Sequence, residues 1–253
     1  MPAIDLTRAA ERAGTFAALH QRGSPLLMAN AWDPGSAKIL AHLGYSALAT
    51  TSAGFANALG RHDGQVTREE AIAHGADLAA TTPLPVSADL EHGFATDPDG
   101  VAETVAAAAS SGLAGCSIED WDPDGEVIYH HQLAIDRVTA AAEAAHRGAV
   151  RLVLTARAEN HFRRVDDFDD TLARLQAYAA AGADVVYAPG ISSADQIKTI
   201  VDNVAVPVNV LVFPGVPPIS ELAELGVARV SVGSGFALVA HGALAAAARE
   251  LLE

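Results

Sequence analysis

Short apolar runs, rich in Val, Ile, Leu and Ala and bounded by Gly, Pro or Asp, recur at residues 25–30, 46–51, 85–89, 115–119, 151–156, 184–188, 206–212 and 228–233. None alternates cleanly between apolar and polar positions, which is the pattern of strands buried on both faces of a parallel sheet. Stretches of helical periodicity lie between them, and their ends are marked. Thr67 with Glu70 reads as a capping box, Asp97 with Pro98 as N-cap and first helical residue, and Ser192 or Ser193 as another N-cap. Gly44, Gly112, Gly148, Gly182 and Gly226 each follow such a stretch, where a left-handed C-cap is wanted.

The recurring unit is helix, Gly, strand, as in AAAGADVVYAPG and LAELGVARVSVG. Eight such units predict an α/β fold, a (β/α)8 TIM-type barrel, as one domain over residues 1–253: an N-terminal helix segment 1–24, the barrel 25–235 and a C-terminal helix 236–253. An open doubly wound sheet is the alternative. It needs a G-x-G-x-x-G turn after the first strand, where LLMANAWDPGS supplies only Gly35. Residues 4–21 read as an amphipathic helix that plugs the bottom of the barrel or packs on a neighbouring subunit.

Half of the 253 residues are apolar, enough for one large core. Sixteen basic against 31 acidic side chains give a formal charge of −15 without any basic run. Nucleic acids and anionic membranes are therefore poor partners, since both need clustered Lys and Arg. Cys116 is alone, so no intrachain disulfide or Cys-based zinc cluster forms, and a cytoplasmic location is expected. The long apolar stretch 204–219 carries Pro207, Pro214, Pro217, Pro218 and Asn209 and is not expected to span a bilayer.

In such a barrel the carboxyl ends of the strands face the active site. Reading these ends in order gives Asn30, Trp32 and Asp33; Thr50 to Ser52; Asp89, Glu91 and His92; Glu119 and Asp120; Arg157, Glu159 and Asn160; Tyr187; Asn209; Ser231 and Ser234. Acids dominate three of them, and carboxylates converging on one mouth repel one another unless a cation or protons offset them. An all-oxygen donor set selects a hard divalent ion, Mg²⁺ first and Mn²⁺ second. The plainer role for any one of these acids is a helix cap or an ion pair. Arg157 offers a planar fork for a substrate carboxylate or phosphonate, or a salt bridge to Glu159 or Glu119. Ser52, Ala53 and Gly54 on a tight turn form a candidate anion cradle. Cys116, mid-strand, reads as core packing; of His62, His74, His92, His130 and His131, only His92, His130 and His131 are placed to reach the mouth.

The segments TSAGFANALGRHDG, PVSADLEHGF, GCSIEDW and LTARAENHF, in that order, resemble the isocitrate lyase/phosphoenolpyruvate mutase superfamily, most closely its short members, over about residues 26–234. The resemblance implies a barrel whose last helix is exchanged between subunits of a homodimer or homotetramer. It implies a Mg²⁺ site, and cleavage or formation of a C–C or P–C bond beside a 2-oxo or 2-hydroxy carboxylate through an enolate-like intermediate. By position, Asp89 matches the direct metal ligand, and Glu91, Glu119 and Asp63 match acids that hold the metal through water. Ser52, Ala53 and Gly54 match the substrate-binding turn, and Arg157 the substrate-binding arginine. The mobile Lys-Lys/Arg-Cys-Gly-His loop of isocitrate and methylisocitrate lyases is replaced here by EDWDPDGEVIYHHQL, without Cys or Lys. Thr50 or Thr51 stands where an aromatic residue usually precedes the turn, with Trp32 and Phe55 as candidates to fill that space.

The expected activity is thus a Mg²⁺-dependent lyase or decarboxylase of a small 2-oxo or 2-hydroxy di- or tricarboxylate, distinct from a true isocitrate or methylisocitrate lyase. P–C hydrolysis or mutation of a phosphonopyruvate-like compound is the alternative within the family, and a non-catalytic metabolite-binding barrel the alternative outside it. Arg157, Glu159 and Asp120 are the catalytic candidates, with Tyr129, His130 and His131 further candidates for acid/base work. Trp32 and Asn209 join the turn as substrate-binding candidates. The Ala-rich stretch 236–252 suits close helix packing between subunits.

Overall fold

The computed structural model describes residues 4–253; residues 1–3 of the expected N-terminal segment lie outside the described residues. The eight apolar runs each form a strand: β1 (Leu26–Asn30), β2 (Leu48–Ala49), β3 (Val86–Asp89), β4 (Gly115–Glu119), β7 (Val153–Arg157), β8 (Val185–Tyr187), β9 (Val208–Leu211) and β10 (Arg229–Ser231). They pair in parallel in that order, and β10 returns to β1 with Leu26 opposite Arg229. That closure removes the edges an open doubly wound sheet would have. The two remaining strands, β5 (Trp121–Asp122) and β6 (Val127–Ile128), form a short antiparallel hairpin beyond the end of β4.

Helices α2 (Pro34–His42), α3 (Ser52–Ala58), α4 (Arg68–Thr81), α5 (Pro98–Ala109), α6 (His131–Arg147), α7 (Phe168–Ala180), α8 (Ala194–Asn203), α9 (Ile219–Glu224) and α10 (Gly235–Leu252) fill the connections. Their caps follow local chemistry. Thr67 and Glu70 close a reciprocal capping box on α4, Asp97 caps α5 ahead of Pro98, and Ser193 rather than Ser192 caps α8. A second capping box, Asp33 with Ser36, starts α2. Gly44, Gly112, Gly182 and Gly226 adopt positive φ as expected. Gly148 does not: it leaves α6 extended at φ −78°, because Leu152 N–H returns to Ala145 O at 3.0 Å and no left-handed residue is needed.

Helix α1 (Leu6–Ala18) covers the amino-terminal end of the barrel. Its buried face is Ala9, Ala13 and Phe16. The Phe16 ring sits so close to Gly115, at the start of β4, that a Cβ there would lie 2.8 Å from the ring and 2.7 Å from Val153 O. Arg12 then donates to Ala79 O and Thr82 O at the end of α4, both at 2.7 Å, and Arg22 donates to Val201 O and Val204 O at the end of α8 at 2.9 and 2.7 Å. Each guanidinium satisfies carbonyls that a helix end leaves orphaned. Helix α1 therefore has the plugging role.

Helix α10 is the opposite case. Ala237 is its one buried residue, while Leu238 and Val239 are 58% and 71% exposed and Leu244, Leu251 and Leu252 are exposed as well. By length and composition alone α10 could cross a membrane. Within 204–219 itself the chain forms β9 and the turn after it.

Candidate active site

A cavity of about 580 Å³ opens at the carboxyl ends of the barrel strands. Its wall takes Asn30 from β1, Asp89 from β3, Glu119 from β4, Arg157 from β7, Tyr187 from β8, Asn209 from β9 and Ser231 from β10. Ser52 and Ala53 enter from the first turn of α3, Asp63 from the loop that follows, and Phe162 and Arg163 from the loop after β7. The β5–β6 hairpin contributes Trp121, Pro123 and Glu126. The Arg163 guanidinium lies 4.3 Å from the Trp121 ring centroid, which ties the hairpin to the β7 loop.

Asp89 is fixed on both carboxylate oxygens. Oδ1 accepts from Arg157 Nη1 at 3.1 Å and from Ser117 Oγ at 3.4 Å, Oδ2 accepts from Ser52 N at 3.3 Å, and its own amide donates to Thr50 Oγ1 at 2.8 Å. Two residues on, Glu91 adopts φ 48°, a left-handed conformation that costs a non-glycine residue about 1–2 kcal/mol. The turn persists because Arg137, buried on α6, clamps it by donating to His92 O, Ala95 O and Thr96 O, while Thr104 Oγ1 donates to Gly93 O at 2.8 Å. Glu119 N–H donates to Glu91 O at 2.9 Å, joining the turn to β4.

Arg157 is fully engaged by acids. Besides Asp89 it meets Glu159 Oε1 from Nε at 3.0 Å and Glu119 Oε2 from Nη2 at 3.0 Å. Burial alone would lower its pKa, but Glu159, Glu119 and Asp89 together hold it well above the usual value. Arg163 reaches Glu119 at 3.3 Å and Glu159 at 3.6 Å. Two arginines thus face Asp63, Asp89, Glu91, Glu119 and Glu159. The acids feel the excess: burial, then Asp89 and Asp63, push Glu91 up to about 8. Burial raises Asp63 despite a hydrogen bond from Ser52, and burial with Glu159 raises Glu119.

Among the described residues, neither Asp63 nor Glu91 has a basic side chain within ion-pair distance. Nor do three acids or histidines converge as a ready-made ligand shell. An excess of oxygen donors with few direct ligands fits a hard cation that keeps most of its waters, as Mg²⁺ does. It does not fit a tight transition-metal cage.

Other expected site residues lie elsewhere. Asp120 and Glu159 do not line the cavity. Strand side chains alternate, so with Glu119 inward Asp120 points outward. There its oxygens accept from Glu159 N at 2.8 Å, Arg174 Nη1 at 3.2 Å and Tyr178 Oη at 2.5 Å. Glu159 is wholly buried, behind Arg157. Asp120 thus pairs with Arg174, and Glu159 with Arg157 and Arg163. Gly54 and Trp32 are likewise behind the wall: the Gly54 amide donates to Thr51 Oγ1 at 3.3 Å, and a Cβ on Gly54 would meet Trp32 Cβ at 3.1 Å. Tyr129, His130 and His131 are also outside it, Tyr129 lying under the Arg137 guanidinium at 4.1 Å. The structure instead brings Asp63, Asp89, Glu91, Glu119, Ser52, Ala53, Arg157 and Asn209 to one cavity. Sequence reasoning missed Arg163, Glu126 and Arg229. For Arg229 a signal existed, a lone charge inside the apolar run VARVSV.

The sequence matches the profile of the family described as phosphoenolpyruvate phosphomutase over residues 16–252. The chain belongs to that family, within the isocitrate lyase/phosphoenolpyruvate mutase superfamily. A protein of Mycobacterium tuberculosis H37Rv with no assigned activity is 35% identical over 247 residues, covering 94% of this chain and 91% of that one. The 2-methylisocitrate lyase of Salmonella typhimurium LT2 is 28% identical over 229 residues, 86% of this chain and 76% of its own. A crystal structure from Burkholderia cenocepacia J2315, provisionally described as a lyase/mutase, superposes with a TM-score of 0.94 at 46% identity, covering 98% of this chain and 90% of that one. The family is one of lyases and mutases, and the chain shares its closed barrel.

Proposed function

We propose that the protein is a Mg²⁺-dependent lyase or decarboxylase that cleaves a C–C bond in a small 2-oxo or 2-hydroxy di- or tricarboxylate. The observation that carries this reading is Asp63 and Asp89 against Ser52, with Glu91 close to both acids, in a cavity with more carboxylates than cations. Asp89 would hold the ion directly, and Glu91, Glu119 and Asp63 through its waters. Bound there, Mg²⁺ supplies Lewis-acid stabilisation for negative charge developing on the substrate's 2-oxygen. Ser52 and Ala53 present the first turn of α3 to the same space. Arg157 binds the substrate carboxylate by exchanging one of its three acidic partners for it, and Glu159, wholly buried, keeps the guanidinium in plane during the exchange. Outside the acids proposed to hold the ion, His92 and Glu126 are the cavity-lining imidazole and carboxylate available to move a proton, whereas burial pushes the Tyr187 phenol up.

A thiol is not among them. Cys116 is buried in β4, and burial raises its pKa to about 12, so it cannot replace the cysteine of the methylisocitrate lyase loop. The hairpin in that loop's place supports a substrate other than isocitrate or methylisocitrate. The phosphomutase profile favours a second reading, P–C chemistry on a phosphonopyruvate-like compound. Incubation with a panel of 2-oxo and 2-hydroxy di- and tricarboxylates, with Mg²⁺ or with EDTA, separates these. The reading expects pyruvate, glyoxylate or CO₂ release that EDTA abolishes. Phosphate release from phosphonopyruvate alone supports the second reading, and ligand binding without turnover across the panel defeats both.

We also propose a homodimer or homotetramer in which the exposed apolar faces of α10 are covered by a second copy. Light scattering at a monomer mass of 26.0 kDa would contradict it.

A further inference from the structure

The floor of the cavity carries a charge that the reaction above leaves unused. Arg229, the first residue of β10, projects into the barrel, is 3% exposed and lines the cavity. Its Nε donates to Asn209 Oδ1 at 2.9 Å, its Nη2 to Thr155 Oγ1 at 3.0 Å, and its Nη1 lies 3.3 Å from His20 Nε2. Asn209 is itself braced, its Nδ2 donating to Ser231 Oγ at 2.9 Å. All three partners are neutral. His20 is kept uncharged by burial and by Arg229 itself, which push its pKa down to about 4.

The other buried arginines are held differently. Arg157 and Arg174 pair with acids, and Arg137 meets three carbonyls and the Tyr129 ring. Among the described residues no carboxylate lies within ion-pair distance of Arg229. Burial pulls its pKa down to about 10, with only Tyr187 opposing. A guanidinium has five N–H donors in a fixed planar fork, of which the three neutral partners take three directions. The remaining directions belong to a side chain that forms part of a cavity wall.

We propose that Arg229 is a second anion subsite, which receives the distal carboxylate of a substrate whose 2-oxo or 2-hydroxy carboxylate end lies at Asp89, Glu91 and Ser52. This rests on the proposed function for the position of the reacting end. One cation among neutral neighbours matches one negative charge, which selects a carboxylate over a phosphonate dianion. The two ends of the substrate would thus be sorted by charge environment: the metal-facing end by the acid-rich mouth, the far end by a lone guanidinium that no protein acid neutralises.

The test is calorimetric binding, in Mg²⁺, of ligand pairs that differ only in the far group: 2-oxoglutarate against 2-oxopentanoate, and 2-oxoadipate against 2-oxohexanoate. The wild-type protein should prefer the dicarboxylate of at least one pair by about tenfold or more, the scale of a charge-assisted hydrogen-bonded contact. Arg229→Met should abolish that preference while leaving the monocarboxylate affinity within about threefold. Arg229→Lys, which keeps the charge but not the fork, should reduce the preference and serves if the Met variant does not fold. A brace between α1 and the barrel would alter thermal stability and leave the discrimination untouched. The proposal is overturned if the wild type shows no preference in either pair, if the preference survives Arg229→Met or is unchanged in a Lys variant, or if the phosphonate analogue of 2-oxoglutarate binds more tightly than 2-oxoglutarate. The readout needs no turnover, so a lack of lyase activity would defeat the proposed reaction and leave this result readable.

Discussion

Asp120→Asn tests the assignment of Asp120 to a structural network. The wild-type carboxylate is buried, with Oδ1 accepting from the Glu159 amide and Oδ2 from Arg174 and Tyr178. An asparagine has one acceptor end. Its best orientation turns the oxygen toward Arg174 and Tyr178, so the NH₂ faces the Glu159 amide and two donors oppose each other out of contact with water. One unsatisfied buried donor costs about 1–3 kcal/mol, and loss of the charge-assisted contact to Arg174 adds about 1 kcal/mol. Arg174 keeps Asp170 at 2.6 Å, so its own charge is not stranded. The sum, about 2–4 kcal/mol, corresponds to a fall in Tm of roughly 4–16 °C for a protein of this size. Thermal unfolding followed by circular dichroism measures it, with Tyr178→Phe in a double-mutant cycle to show that the two side chains couple. A Tm within 2 °C of wild type, or additive single mutants, would refute the network.

Burial holds the pKa of His20 and His74 down at about 4, against 6.5 for the ordinary group. Between those values the unfolded chain binds more protons, so stability falls as pH drops from about 6.5 to 4, by up to about 3 kcal/mol for each residue. His74 stacks on Phe55 at 3.8 Å, and a His74→Phe variant should show a flatter Tm-against-pH curve across that window; an unchanged slope would count against the assignment. Gly115→Ala places a methyl group against Val153 O, which cannot yield as the Phe16 ring can, and should cost about 1–3 kcal/mol in a urea melt. Arg137→Met frees the turn that strains Glu91 and should weaken Mg²⁺ binding through Glu91, with binding equal to wild type as the contrary result.

The barrel was legible because its signals are local. Apolar runs between Gly, Pro and Asp marked each strand, and Thr67, Asp97 and Ser193 capped their helices by chemistry that needs no tertiary context. The acid mouth was legible because the fold directs strand ends to one face. Side-chain direction was harder to read. Adjacent residues at a strand end point opposite ways, so Glu119 faces the cavity and Asp120 leaves it, although the two read alike in sequence. Glu159 is drawn behind Arg157 by Asp120, 39 positions earlier, which accepts from its amide, and by Arg163, four positions on in an irregular loop. Arg163 lies in an irregular loop with no strand-end marker, and its stacking on Trp121 depends on the β5–β6 hairpin. Gly148 carried a C-cap signal that the return bond from Leu152 to Ala145 made unnecessary.

The carboxylates at the mouth are proposed as a Mg²⁺ site centred on Asp89. Calorimetric titration of Mg²⁺ into the wild-type protein and Asp89→Ala, at matched pH and ionic strength, tests it most directly. Arg157 keeps Glu119 and Glu159 as partners in the variant, so the fold should persist, and equal melting curves would verify that. The wild type should bind one Mg²⁺ per chain, and Asp89→Ala should bind it with an affinity lower by about tenfold or more, at least ~1.4 kcal/mol. Equal Mg²⁺ affinity in the two proteins would contradict the assignment.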